Sequence, residues 1–204
     1  MTRRLLVASR SKHKVGELLE LLGLDGVALV TPDEVGVEGE PVEDADTFEG
    51  NAEFKARYYG ERSGLPTLAD DSGLEVDALD GGPGVFTKRY AGPEATDEDN
   101  NTRLLRELEG VPVEQRGARY QCVLAFWDPS SGGATVFRDG QFEGRIAAER
   151  RGTGGFGYDP VFEPDGEAPG GRTVGQMTAE EKHTRSHRGK AARAMAEYLR
   201  AEGW

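Results

Sequence analysis

The stretch Leu65–Val76 constrains the fold more than any other part of the chain. An apolar run from Leu65 to Ala69 ends on two adjacent carboxylates, Asp70 and Asp71, followed by Ser72 and Gly73. The run predicts a short buried strand. Acid pairs at strand ends are where hard cations are held, because Mg²⁺ takes oxygen ligands and usually needs only one or two protein carboxylates. Neighbouring strand residues face opposite sides. The two aspartates therefore reach one metal only across a bend, which Gly73 permits. An ordinary acidic turn has the same four residues. The surroundings favour the metal: basic helix starts come before the stretch, and a Gly-rich loop and a Ser-His-Arg cluster come after it.

A chain of 204 residues suits one domain, 1–204, with room for two lobes and a substantial core. The net charge of -12 argues against a nucleic-acid partner, whose phosphates dominate such binding. A local basic cluster can still hold one small phosphorylated ligand. Cys122 is the single cysteine, which excludes an intrachain disulfide framework and a cysteine-based zinc site. The apolar run after Arg3 and Arg4 is too short for a signal-peptide core or a membrane span, so the chain reads as cytoplasmic.

Leu5–Ala8 predicts a buried first strand, followed by Ser9, Arg10, Ser11, Lys12, His13 and Lys14. Val15, Leu18, Leu19 and Leu22 then fall on one helical face, with Ser11 as N-cap and Gly23 as the stop. The start of a helix after a strand and a polar turn binds anions through free N–H groups and the helix dipole. Cations in that first turn oppose the dipole, which makes sense if an anion compensates. A solvated basic patch fits the same residues.

An acidic loop, Glu38 to Asp46, precedes a helix capped by Thr47 with Phe48, Ala52, Ala56 and Tyr59 as its stripe and Lys55 alongside. Glu43 is either a second metal carboxylate or a solvent-facing acid. Thr96 caps a third helix with Leu104, Leu105 and Leu108 buried. Arg119 to Trp127 predicts a strand, Thr135–Arg138 its hairpin partner, and Gln141–Ile146 a third strand. Arg150 to Gly157 is a Gly-rich loop that lets backbone approach a ligand. Ser186 reads as the N-cap of a last helix with Ala191, Ala194, Met195, Tyr198 and Leu199 on one face. His187 and Arg188 are then cations at its positive end, which favours an anion or a carbonyl-rich ligand there.

In order, Ser9–Lys14, Thr47-Phe48 with Asn51-Ala52 and Lys55-Ala56, Ala69–Leu74, Pro83–Val85 with Arg89–Gly92, Gly154–Pro160, and Glu181-Lys182 with Ser186–Arg188 span nearly the whole chain. Together they resemble the inosine triphosphate pyrophosphatase family of purine nucleoside triphosphate diphosphatases. The resemblance implies an elongated α/β fold with two lobes around a central twisted mixed sheet, a nucleotide cleft between the lobes, and a homodimer. It implies Mg²⁺-dependent cleavage of ITP, dITP and XTP between the α- and β-phosphates, which clears such nucleotides from the pool.

Residue by residue, Ser9, Arg10, Ser11, Lys12, His13 and Lys14 match the phosphate-binding turn, and Lys55 matches a second phosphate lysine. Asp71 matches the catalytic acid and metal ligand, with Asp70 as its partner, and Glu43 matches a metal-site glutamate. Ser72 matches a substrate contact. Phe156, Gly157, Tyr158 and Asp159 match the base-binding loop, and Lys182, His187 and Arg188 match contacts on the other side of the base. Ser11 stands where the family usually has Asn, and Gly50 where it has Glu. Gly50 removes the reciprocal half of a capping box, a loss of ~1 kcal/mol at that helix start. Which aspartate is base and which is ligand stays open. A broader nucleotide pyrophosphatase and a non-cleaving nucleotide sensor are the rival readings; the intact acid pair argues against the sensor.

Overall fold

The computed structural model describes residues 2–204, apart from the side chains of Lys12, His13 and His183. Six strands form one mixed sheet in the order β2-β1-β3-β4-β5-β6. β1 (Arg3–Val7) pairs in parallel with β2 (Val27–Val30) and with β3 (Thr67–Val76), while β5 (Thr135–Ile146) pairs antiparallel with β6 (Phe162–Pro164). β4 is Gly117–Trp127. Leu5, Leu6 and Val7 are all buried, as expected for a parallel strand covered on both faces.

The chain divides into two compact units, one formed by Met1–Asp71, Cys122–Gly140 and Arg188–Trp204 and the other by Ser72–Gln121 and Gln141–His187. In the first unit, α1 (Lys12–Leu22) runs from the Ser11 cap to a left-handed Gly23. It packs Leu18 and Leu22 against Leu5, Val7, Leu68 and Leu124, and against Ala191, Met195 and Leu199 of α5 (His187–Ala201). α2 (Phe48–Ser63) buries Phe48, Ala52, Ala56 and Tyr59, its expected stripe, together with Asn51 and Lys55. In the second unit, α3 (Asp97–Glu107) starts at a Thr96–Asp99 capping box. Its Leu104, with Leu108 just beyond its end, joins Leu74, Val76, Phe142, Ile146, Val161 and Phe162 in a separate core.

Several expectations change. β3 does not end at the acid pair: it continues through Asp70, Asp71, Ser72 and Gly73 to Val76. No bend forms at Gly73, whose φ is not positive, so the two carboxylates keep the alternating directions of a strand. Thr135–Arg138 and Gln141–Ile146, expected as two separate strands, form one strand, β5. Asp139-Gly140 stays extended inside it, and Gly140 does not adopt a positive φ. Leu19, placed on the buried face of α1, is 47% exposed. Two elements lie outside the sequence reading. β2 is a run of only four residues. α4 (Ala179–Arg185) has no apolar stripe and is set up by its Thr178–Glu181 capping box. Ser186 lies between α4 and α5. Among the described residues, no helix is long and apolar enough to cross a membrane.

Candidate active site

Alternation along β3 gives the two aspartates different neighbours. Asp70 is 2% exposed, and its Oδ2 lies 3.1 Å from Lys14 Nζ and 3.4 Å from the Arg188 guanidinium. Arg188 also donates to Glu17 Oε2 of α1 at 2.5 Å. Burial pushes the Asp70 carboxyl up, but Lys14, Arg188 and Lys55 outweigh it and hold the group well below the usual carboxylate range. The same acids raise the Arg188 guanidinium further despite its burial. Asp70 is therefore a fixed anion. Lys14, a cation in the first turn of α1, finds at least part of its compensating charge in the protein itself.

Asp71 lies among different groups. It is 7% exposed, and its Oδ2 accepts from Asn51 Nδ2 at 3.0 Å. Burial raises its carboxyl to about 6, with Glu43 pushing the same way and Lys55, Asn51 and Lys14 opposing. Lys55 Nζ pairs with Glu43 Oε1 at 2.7 Å. Burial lowers the Lys55 ammonium, yet Asp70, Glu43 and Asp71 together raise it above its ordinary value. Asn51 also ties down the acidic loop: its Oδ1 accepts the Ala45 N–H at 3.0 Å and its Nδ2 lies 3.4 Å from the Ala45 carbonyl. One helical turn, Asn51 to Lys55, thus addresses both the loop that carries Glu43 and the acid itself.

The Ser9–Lys14 turn is ordered from within. Ser9 Oγ accepts the Ser11 N–H at 3.2 Å, and Ser11 Oγ accepts the Lys14 N–H at 3.5 Å. Arg10 points to the acidic loop. Its guanidinium donates to Asp33 at 2.9 Å, to the Gly39 carbonyl at 2.7 Å and to the Val37 carbonyl at 2.9 Å, so it clamps the loop. The expected contacts of Lys12 and His13 lie outside the described side chains.

In the second unit, the Gly154–Pro160 loop is pinned to α3: Asn101 Nδ2 donates to the Gly157 carbonyl at 2.8 Å and Asp97 accepts the Gly157 N–H at 2.6 Å. Tyr158 is buried, and its hydroxyl donates to the Thr87 carbonyl at 2.9 Å. Asp159 pairs with Lys182 Nζ at 2.7 Å. His187 is buried and stacks on the Tyr120 ring. Ser72, the first residue of this unit, is partly buried. Lys182, His187 and Arg188, expected together beside a base, fall on either side of the division between the units. The first two belong to this unit, while the Arg188 guanidinium binds Asp70 and Glu17 in the other.

Among the described residues, no three His, Cys, Asp or Glu side chains converge to hold a metal unaided. Asp71 and Glu43 are hard oxygen donors, and they fit a hard cation that takes one or two carboxylates and completes its shell with water and phosphate. Asn51, Glu17 and Tyr120 had no role in the sequence reading. Asn51 was detectable as a polar residue at helical spacing within a buried stripe, one turn before Lys55. Glu17 and Tyr120 carry no local signal, because their partners lie far away in sequence.

A model of the Ham1 family matches residues 5–198. The dITP/XTP pyrophosphatase of Methylococcus capsulatus is 45% identical over 201 residues, covering 98% of each chain. A HAM1 protein from Coxiella burnetii superposes with a TM-score of 0.89 at 38% identity, covering 98% of this chain and 99% of its own. The nucleoside-triphosphatase / dITP/XTP pyrophosphatase of Mycobacterium abscessus gives 0.78 at 42% identity, covering 96% and 98%.

Proposed function

The chain belongs to the Ham1 family, and on that premise we propose that it hydrolyses non-canonical purine nucleoside triphosphates such as dITP, XTP and ITP to the nucleoside monophosphate and pyrophosphate, with Mg²⁺ as its metal. The observation that carries this reading is the division of the acid pair: Asp70 is saturated by cations, while Asp71 keeps a raised carboxyl beside Glu43 and Lys55.

Asp71 and Glu43 would hold the metal, which when bound neutralises phosphate charge and polarises the scissile group. Lys14 and Lys55 take the remaining charge of the triphosphate, since phosphoryl chemistry depends on positioning and charge neutralisation more than on covalent help. Ser9, Ser11 and the first N–H groups of α1 shape the turn against phosphate oxygens. The Asp71 carboxylate orients a water towards the α-phosphorus and accepts its proton. Pyrophosphate then leaves.

The second unit reads the base. Phe156 offers a ring face, and Lys182 and His187 offer N–H donors to a 6-keto oxygen. Adenine presents an amino group there, which leaves buried donors unpaired at about 1–3 kcal/mol each. A site built on such pairing rejects the wrong analogue by up to about 10⁴-fold or more. The family resemblance also supports a cytoplasmic homodimer acting on free nucleotides, and sedimentation tests the dimer.

The direct test is product analysis with ITP, XTP and ATP, each with Mg²⁺ and with chelator. The expected result is monophosphate and pyrophosphate from ITP and XTP far faster than from ATP, and none with chelator. Equal rates for ATP and ITP, or orthophosphate as the product, would refute the reading.

A further inference from the structure

One buried carboxylate organises the Gly154–Pro160 loop. Asp159 is 2% exposed. Its Oδ2 accepts from the Phe156 N–H at 2.9 Å and from Lys182 Nζ at 2.7 Å, and its Oδ1 accepts from the Tyr120 hydroxyl at 3.3 Å. The backbone passes so close that a Cβ on Gly155, where φ is +75°, would stand 2.0 Å from Oδ2. Lys182 Nζ lies 4.1 Å from the centre of the Phe156 ring. The Tyr120 ring stacks on the His187 imidazole, with centroids 4.9 Å apart and planes 11° apart. Both oxygens of Asp159 are therefore engaged, and each residue that engages them, or stacks on one that does, is a candidate base contact or the support of one.

We propose that Asp159 is a positioning residue and not a substrate contact: anchored by Tyr120, it aims Lys182 and the Phe156 backbone, and through them sets the preference for 6-keto purines. This deepens the base-recognition reading above and rests on it. The chemistry follows from the donor count. An ammonium has three N–H groups on a flexible stem and is a poor selector unless one is spent on a fixed anion. A buried carboxylate fixes both the charge and the direction of what remains. Tyr120 serves twice, because its hydroxyl holds Oδ1 while its ring backs His187.

The test is a double-mutant cycle on the whole 204-residue chain, with kcat and KM measured for ITP and ATP. Asp159→Asn is expected to raise KM for ITP about tenfold, with a much smaller change in kcat, and to narrow the ITP-over-ATP ratio by a similar factor. Because Asp159 acts through Lys182, the double variant with Lys182→Met should be no worse than Lys182→Met alone. Losses that multiply would mean that Asp159 touches the base itself, and an unchanged KM and ratio would mean that it does neither; each result overturns the proposal. Tyr120→Phe keeps the ring stack and removes one bond to Asp159. It should narrow the ratio about threefold, and it decides the matter alone if circular dichroism shows that Asp159→Asn does not fold. If the wild type shows no preference for ITP over ATP, the base-recognition reading fails before any variant is made, and this proposal falls with it.

Discussion

Asp70 and Asp71 are identical side chains on adjacent residues, and alternation along β3 gives them opposite electrostatics. The linkage signs differ accordingly. Asp70 is held below its ordinary value by Lys14 and Arg188, so it contributes stability above about pH 4 that is lost as pH falls below that. Asp71 is raised to about 6, so between roughly pH 4 and 6 the folded chain keeps a proton that the unfolded chain has released. Its contribution to stability falls as pH rises through that window. In metal-free protein at pH 8, Asp71→Asn is expected to stabilise by about 2 kcal/mol, with the gain vanishing near pH 4. Asp70→Asn removes the anion facing two cations, one of them deeply buried, and is expected to cost about 3–5 kcal/mol. Urea titration at the two pH values checks both. The motif was legible in sequence down to the residue pair. The division of labour within it was not, because it depends on Lys14 and Arg188, which lie 56 positions before and 118 after Asp70.

At the scale of elements, the caps of α1, α2 and α3 and the buried stripe of α2 were legible, because they depend on residues within a few positions of one another. Strand ends were not. Gly73 and Asp139-Gly140 look like breaks, but both segments stay extended inside β3 and β5. Gly50 shows how a helix start can serve a site. A Cβ there would lie 2.9 Å from the Ala45 Cβ, and Ala45 is tied by its backbone to Asn51, which reaches Asp71. Replacing Gly by Ala inside a helix ordinarily gains about 1 kcal/mol. Gly50→Ala is expected to forfeit that gain and to lower kcat/KM several-fold, because the Glu43 loop must shift. A stabilised variant with full activity would show that Ala45 yields without cost. Thermal melts and steady-state kinetics on one sample decide it.

For the whole molecule, the net charge of -12 sits in contrast with the cations gathered around Asp70, Asp71 and Glu43. Gathering Lys14, Lys55 and Arg188 in an acidic protein suits a small polyanion. The pairing of Arg188 with Asp70 and Glu17 was invisible in sequence, because both partners lie far from it along the chain. The claim on which the rest depends is that Asp71, and not merely an acidic strand, drives the hydrolysis. It is tested most directly by pyrophosphate release from ITP at saturating Mg²⁺ by wild type and Asp71→Asn, both confirmed as folded. The predicted result is a fall in turnover of about 10³-fold or more; turnover equal to wild type would contradict it.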